Sequence, residues 1–187
     1  EAPDVAEAAK ELGRFYMLSL GHGETIVSLK NELDHVAAYV NVQNMRFEDH
    51  FKLTIDVPEE LYDYKIIKII LQPLVENAVN HGIRGVEWQG EIHLKVQDKG
   101  ERIEIRVEDN GKGMTREQVG MILSGSHTTV DSDSTGIGLG NVIARLRLYY
   151  STDQIFSINS KGTDQGTSVI LTIPKKEEDG DVPDISG

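Results

Sequence analysis

The segment from Glu101 to Asp109 constrains the fold more than any other. Ile103, Ile105 and Val107 alternate with charged residues, which is the period-2 pattern of a half-buried strand. Asp109 continues the apolar side, so the strand directs its carboxylate toward the core. Such a carboxylate costs free energy unless it meets a hydrogen-bond donor. An amine on a flat purine ring would be a suitable donor; alternatively, Asp109 only starts an Asx-type turn at the strand end.

Two glycine clusters follow this strand. They are Asp109-Asn110-Gly111-Lys112-Gly113-Met114 and Thr135-Gly136-Ile137-Gly138-Leu139-Gly140-Asn141. The second cluster runs into a predicted helix that ends at Tyr150, and a glycine loop there would bring free backbone N–H groups and a positive helix end to one place. That arrangement suits phosphate. It is neither a P-loop, since no Gly-Lys-Ser/Thr follows, nor a dinucleotide fingerprint, since the spacing differs.

A third polar cluster lies on the most apolar predicted helix, which spans Ile66 to His81 and is expected to cover a sheet. At about 100° per residue, Asn77, Asn80 and His81 share one side of this helix, with Glu76 at the margin. Taken alone, these residues are best explained as an exposed helix face. Together with the two glycine clusters, they indicate a ligand site instead.

In order and spacing, these segments resemble the N, G1, G2 and G3 boxes of the GHKL superfamily. That superfamily comprises gyrase-type ATPases, heat-shock chaperone ATPases, mismatch-repair ATPases and histidine kinases. The last box corresponds to Gly166-Thr167. The stretch Leu71 to Gly82, together with the upstream Leu29 to Val36 and Tyr39 to Phe47, is similar to LytS/YesM-type sensor histidine kinases. The resemblance covers roughly residues 5 to 174.

The resemblance implies an α/β two-layer sandwich, in which a mixed sheet is covered on one face by helices and preceded by helical segments. The predicted helices on that face are 66–81, 115–124 and 141–150, and the predicted strands are 51–57, 91–96, 101–109, 154–159 and 167–173. The second and third of these strands are expected to pair as a hairpin around Asp98-Lys99-Gly100. Thr115 is a plausible N-cap with Gln118 three residues later. We expect a remnant of the dimerisation helices in residues 1–50, the catalytic domain in 51–174 and a disordered tail in 175–187.

The resemblance also implies ATP and Mg²⁺ as cofactors. Asn77 corresponds to the Mg²⁺ ligand, and a side-chain amide oxygen can complete an octahedron otherwise made by phosphates and water. Glu76 corresponds to the acidic residue proposed to orient or deprotonate the acceptor imidazole. Asn80 departs from the Lys or Arg common at its position. Pro73 stands where hydrolytic relatives carry a water-activating Glu, which favours transfer to a separate acceptor.

The remaining residues of the implied site bind the nucleotide. Asp109 selects the base, and Thr167, in phase with Val169 and Leu171, faces the same interior side. The full ATP-binding set is Asn77, Asn80, His81, Asp109, Gly111, Gly113, Met114, Thr135, Gly136, Ile137, Gly138, Leu139, Gly140, Asn141 and Thr167. The polar segment from Ser124 to Ser134 corresponds to the ATP lid, and we expect it to be mobile.

The composition of the chain limits the kinds of partner and ligand that it can bind. A net charge of −12 argues against a nucleic-acid surface, which needs clustered Lys and Arg. The absence of Cys excludes a disulfide framework and a thiolate metal site. The resemblance implies a homodimer, a phosphoacceptor helix of the same dimer and a cognate response regulator as partners. It also implies a cytoplasmic location, with any membrane attachment through regions upstream.

We therefore predict the catalytic domain of a two-component sensor histidine kinase, which donates the γ-phosphoryl group of ATP to a histidine outside this sequence. No histidine here lies in the Pro-His-Phe context expected of the acceptor. Two alternatives stay open: a nucleotide-binding signalling module without chemistry, and an anti-sigma-type serine kinase. The helical pattern from residue 4 to 47 favours the histidine kinase over the latter. It consists of a predicted helix at residues 4–20, a break at Gly21-His22-Gly23 and a second predicted helix from Ser28 to Phe47.

Overall fold

The computed structural model describes residues 25–47, 50–124, 135–152 and 155–175. The strands are β1 (Ile26–Ser28), β2 (Phe51–Asp56), β3 (Lys65–Ile67), β4 (Gly90–Asp98), β5 (Arg102–Asp109), β6 (Phe156–Ser160) and β7 (Thr167–Pro174). The helices are α1 (Leu29–Phe47), α2 (Leu71–Asn77), α3 (Arg116–Ser124) and α4 (Thr135–Tyr150). A π-helical turn (Ala78–Ile83) continues α2, and a 3₁₀ turn (Glu59–Leu61) follows β2.

The main sheet has five strands in the order β2-β4-β5-β7-β6. The β2 and β4 pair is parallel, and the other pairs are antiparallel, so the sheet is mixed, as predicted. One face of the three central strands is buried under the helices; its side chains are Ile92, Leu94, Val96, Ile103, Ile105, Val107, Val169, Leu171 and Ile173. The opposite face carries charged residues such as Arg106 and Glu108. The two-layer sandwich is confirmed.

Several local predictions hold. The hairpin of β4 and β5 forms with Asp98 paired to Ile103, and Gly100 sits in its turn at φ +81°. Helix α3 starts with the expected capping box. The backbone N–H of Gln118 donates to Thr115 Oγ1 over 3.3 Å, and the Thr115 N–H donates to Gln118 Oε1 over 2.8 Å.

The predicted helix from Ile66 to His81 is wrong in its first turn. Ile66 and Ile67 belong to β3, which pairs with β1 in a separate two-stranded sheet, and α2 begins only at Leu71. Ile69 has φ +58°, which breaks any helix there. A short run of apolar β-branched residues fits a buried strand and a buried helix equally well, so sequence periodicity could not separate them.

Helix α4 also differs from the prediction, because it begins at Thr135 rather than at Asn141. The glycines at 136, 138 and 140 therefore lie in the first turns of the helix and not in a loop before it. Glycine lowers helix stability by about 1 kcal/mol relative to alanine, yet packing holds this segment helical, since Leu139 is fully buried.

Other predictions fall on residues that the structure does not describe. These are the helix at residues 4–20 with the break after it, most of the lid (125–134), the start of the predicted strand 154–159 and the tail beyond Lys175. Among the described residues, no helix combines the length and apolar character needed to cross a membrane.

Candidate functional site

The site is built around the carboxyl end of β5. Asp109 pairs directly with Thr167 of β7, and Thr167 is only 5% exposed, so both side chains lie on the interior side as predicted. The Asp109 carboxylate accepts hydrogen bonds from the backbone N–H of Gly111, at 2.9 Å, and from that of Thr167. Burial raises the pKa of Asp109 to about 6, although these two N–H donors oppose the shift. Its carboxyl group is therefore desolvated but accessible from the site.

Three glycines bring three chain segments into contact around this carboxylate. A Cβ on Gly82 would lie 2.7 Å from Asp109 Oδ1, and a Cβ on Gly111 would overlap the backbone of Gly82. Gly166 has φ +67°, and a Cβ there would meet the carbonyl oxygen of Asp109. The backbone is tied across the same segments, since Lys112 N donates to Gly82 O over 2.9 Å and Gly166 N donates to Gly111 O over 3.0 Å. No larger side chain fits at these positions.

Ser160 is a structural part of the site that the sequence did not reveal. Its hydroxyl donates to Gly166 O over 2.7 Å and accepts from Met114 N over 2.8 Å, so it joins β6 to the glycine loop after β5. Met114 itself is buried, and Gly113 has φ +67°. A serine at the end of a short strand carries no sequence signal, because its partners come from distant segments.

Asn110 fixes the other side of the same loop. Its side-chain oxygen accepts from Glu91 N over 2.8 Å, and its side-chain nitrogen donates to Gln89 O over 3.1 Å. Trp88 Nε1 donates to the Asn110 carbonyl oxygen over 2.9 Å. The loop before β4 and the glycine loop after β5 are thereby held together, with the Asn110 side chain directed away from Asp109.

The polar residues of α2 and the π-helical turn directly precede Gly82 in the chain. Asn77 is 8% exposed, and no described residue forms a hydrogen bond with its Oδ1. A buried amide oxygen without a partner is costly and is a ligand of the kind that Mg²⁺ prefers. The residue therefore fits a magnesium ion that would also be held by phosphates. Asn80 and His81 are half-buried in the π-helical turn.

Glu76 differs from its neighbours because its side chain is exposed on α2. Partial desolvation nonetheless raises the pKa of Glu76 above its ordinary value. A raised pKa makes a carboxylate a stronger base. Elsewhere in the described ranges, no group of three His, Cys, Asp or Glu side chains could hold a metal ion.

The second glycine cluster does not form the phosphate-binding loop that the sequence predicts, because it is part of helix α4. In α4, Leu139 packs into the core, Gly140 is half-buried and Asn141 is exposed. The side chains of residues 135–138 are not described. The first N–H groups of a helix have no partner within the helix, so any donors to phosphate from this cluster would come from the first turn of α4.

The structure thus places Asp109, Gly111 and Thr167 next to Gly82, the residue that directly follows the Asn77 to His81 segment. Gly113 and Met114 lie at the outer end of the same loop, next to Ser160.

Comparison with known proteins identifies the family. Residues 62–177 match the sequence model of the family described as "Histidine kinase-, DNA gyrase B-, and HSP90-like ATPase", and residues 1–51 match that of "Histidine kinase". The chain is 33% identical over 175 residues to the sensor protein LytS of Streptococcus mutans and 30% identical over 174 residues to the sensor histidine kinase YesM of Bacillus subtilis. These alignments cover 93% of the chain but only 29% and 28% of the two relatives.

Solved structures share the fold. The catalytic domain of histidine kinase ThkA superposes with a TM-score of 0.60 at 18% identity, over 82% of this chain and 98% of that one. The histidine kinase domain of the blue-light-activated kinase from Erythrobacter litoralis gives 0.58 at 16% identity, over 91% of this chain and 74% of that one. From these matches and the geometry above, the chain belongs to the histidine kinase-, DNA gyrase B- and HSP90-like ATPase family, as an ATP-binding domain of the sensor histidine kinase type.

Proposed function

We propose that this chain binds ATP with Mg²⁺ and transfers the γ-phosphoryl group to a histidine on an acceptor helix. The observation that carries the proposal is the desolvated carboxylate of Asp109 inside the glycine cradle formed by Gly82, Gly111 and Gly166, because Gly82 closely follows Asn77, whose buried amide oxygen has no partner among the described residues. The first is suited to a base carrying an amine, and the second to a cation held by phosphates.

In the proposed reaction an imidazole nitrogen of the acceptor attacks the γ-phosphorus. The new P–N bond forms as the bond from the γ-phosphorus to the β,γ-bridging oxygen breaks, and ADP leaves with that electron pair. The proton lost from the imidazole is taken up by a base, for which Glu76 is the candidate on α2 because its pKa is raised. Bound Mg²⁺ would neutralise charge that develops on the phosphate oxygens.

The remaining residues bind and position the nucleotide. Asp109 accepts a hydrogen bond from the exocyclic amine of the base, and Thr167 lies beside it. Asn77 holds the cation through Oδ1, with Asn80 and His81 next to the phosphates. The first turn of α4, from Thr135 through Gly136, Ile137 and Gly138, supplies N–H donors to phosphate oxygens. This positioning is what phosphoryl transfer chiefly requires of a protein.

The proposal extends to partners that belong to the longer proteins. The chain spans about three tenths of the length of the relatives it matches, and its N-terminal match to a histidine kinase model favours a histidine acceptor over the serine acceptor of an anti-sigma-type kinase. We infer that the working form is a homodimer that supplies the acceptor helix, passes the phosphoryl group to a response regulator and acts on the cytoplasmic side of a membrane.

The proposal is tested with a separately prepared acceptor helix containing the histidine. We expect γ-labelled ATP and Mg²⁺ to label this helix with an acid-labile, base-stable phosphate when the chain is present. The matched control is the Asp109→Asn variant, which should label it far more slowly at the same ATP concentration. Tight ATP binding without any transfer to the helix would favour the alternative of a signalling module without chemistry.

A further inference from the structure

The turn between β3 and α2 is held by side chains from two other helices, α1 and α4. Glu32 of α1 is only 2% exposed, and its two carboxylate oxygens accept three backbone hydrogen bonds. The donors are Ile69 N at 2.6 Å, Ile70 N at 2.9 Å and Leu71 N at 3.0 Å. These N–H groups include ones that a helix N-terminus cannot satisfy internally. A carboxylate is also favoured at the positive end of a helix.

The carbonyl side of the same turn is held by Arg145 of α4. Its Nη2 donates to Lys68 O over 2.8 Å and its Nη1 donates to Ile69 O over 3.3 Å. Ile69 lies between the contacts made by Glu32 and those made by Arg145. Its φ is +58°, a conformation that a β-branched residue adopts only when its surroundings impose it. Glu32 and Arg145 thus bond opposite sides of a strained turn.

The helical segment that follows this turn consists of α2 and the π-helical turn. Its other end is fixed by the glycine cradle. Lys112 N donates to Gly82 O, and Gly82 packs against the Asp109 carboxylate. Glu76 and Asn77 lie between the two fixed points, on the last turn of α2. The base pocket around Asp109 is tied to β5 and β7, whereas the hydrogen bonds of the Glu32 carboxylate go to Ile69, Ile70 and Leu71. Loss of Glu32 would therefore release one end of α2 and leave the base pocket intact.

We propose that Glu32 is a positioning residue for phosphoryl transfer: through the Lys68–Ile70 turn, and with Arg145 on its opposite side, it sets the position of α2 and hence of Glu76 and Asn77. The inference rests on the proposed function for the role of those two residues. Because α1 carries Glu32, the same contacts connect α1 to the site through the turn and α2.

The principal variant is Glu32→Gln, which keeps the size of the side chain but places an NH₂ group against backbone N–H donors. Its matched control is Asp34→Asn, which removes the same charge from the same helix, where Asp34 bonds only the exposed Lys30 side chain at 3.2 Å. A second variant, Arg145→Gln, tests the other side of the turn from an exposed position, so that it decides the question if Glu32→Gln does not fold.

The first measurement is steady-state transfer to the acceptor helix. Misplacement of reacting groups by about 1 Å lowers rates about 100-fold, so we expect Glu32→Gln to lower kcat about 10- to 100-fold while KM for ATP changes less than about threefold. Arg145→Gln should lower kcat in the same sense but less, and Asp34→Asn should match the wild type. A folded Glu32→Gln protein with wild-type kcat, or with an altered KM and unchanged kcat, would overturn the inference.

The second measurement does not depend on activity. Hydrogen exchange should become at least about tenfold faster in Glu32→Gln and Arg145→Gln at the amides of α2 around Glu76 and Asn77, with no change at Asp109 and Gly111. Faster exchange confined to Ile69–Leu71 would mean that Glu32 caps the helix without positioning its far end, which contradicts the inference. If the wild type itself transfers no phosphoryl group, the proposed function fails, and exchange alone then decides whether Glu32 positions α2.

Discussion

The environment of Asp109 explains why burial of its carboxylate costs free energy and why the carboxylate suits a ligand amine. Its carboxylate is half-buried beside Thr167 and between glycines, and among the described residues it accepts from the backbone N–H groups of Gly111 and Thr167. Two neutral donors do not replace the water that an ionised carboxylate loses on burial, so the pKa rises to about 6. A third donor supplied by a ligand amine would complete its hydrogen bonding.

Replacement of this carboxylate tests its role. Asp109→Asn keeps an oxygen for the Gly111 N–H but substitutes an NH₂ group for a charged acceptor, so we expect ATP binding to weaken by about 2 kcal/mol or more. Titration calorimetry measures the loss, and circular dichroism confirms the fold. Wild-type affinity in the folded variant would exclude Asp109 as the base-selecting residue.

The raised pKa predicts a pH dependence of binding. A donor from the base favours the ionised carboxylate, so binding lowers the pKa of Asp109 from its value of about 6. Affinity should therefore be constant above about pH 7 and fall as the pH drops through 6, where the free protein takes up the proton. The Asp109→Asn variant corrects for titration of the phosphates of ATP. Parallel pH profiles in the two proteins would contradict the prediction.

Asn77 is expected to act through the metal rather than through the base. Asn77→Ala removes the unpartnered buried Oδ1, so we predict that the gain in ATP affinity on adding Mg²⁺ falls about tenfold, equivalent to about 1.4 kcal/mol. Affinity measured in EDTA should stay within about twofold. The matched control is Asn159→Ala on the exposed edge of β6. An unchanged Mg²⁺ effect would show that Asn77 is not a ligand.

At the scale of single elements, the capping box at the start of α3 makes a measurable contribution to the free energy of unfolding. Thr115→Ala removes the acceptor for the Gln118 N–H, so we expect a loss of about 1 kcal/mol in the free energy of unfolding. Urea denaturation measures it, and Thr163→Ala in an exposed loop is the control. A loss in Thr115→Ala no larger than that of the control would mean that the cap contributes nothing.

Elements with a strong periodicity or a characteristic turn sequence could be predicted from the sequence. Elements that form only because a distant segment pairs or packs with them could not. The alternation in β5, the hairpin at Gly100 and the capping box are local, and the structure contains all three. Ile66 and Ile67 form a strand only because Ile26 and Val27 lie opposite them. The start of α4 at Thr135 likewise depends on packing of its glycine-rich turns, which glycine content alone argues against.

At the scale of the whole molecule, the positions of the histidines predict that the chain does not phosphorylate itself. Those described are His35, buried on α1, His50, whose ring lies 3.2 Å from Val86 O, His81 in the π-helical turn and His93 on the charged face of the sheet. His22 and His127 lie outside the described residues. None is in the acceptor context, and a misplaced imidazole reacts orders of magnitude more slowly.

Incubation with γ-labelled ATP and Mg²⁺ should therefore leave the chain unlabelled over the time in which an added acceptor helix is fully labelled. Acid-labile phosphate should then appear on the helix only. Stoichiometric acid-labile labelling of the chain in the absence of the helix would overturn this prediction and identify one of its own histidines as an acceptor.

The sequence by itself determined the direction of two interior polar side chains and the superfamily of the chain. Strand phase placed Asp109 and Thr167 on the interior side, and the order of the polar and glycine-rich boxes indicated the superfamily. Such features are local, because the period of a strand and the need of a tight turn for glycine follow from a few consecutive residues.

The tertiary structure alone decided how that site is held. Ser160 ties Met114 to Gly166, and Glu32 binds the start of α2 from a helix 37 to 39 residues earlier in the chain. A serine and a glutamate carry no signal in the sequence for these roles. Their partners are backbone groups, which every residue possesses, so only the folded chain determines which of them each side chain meets.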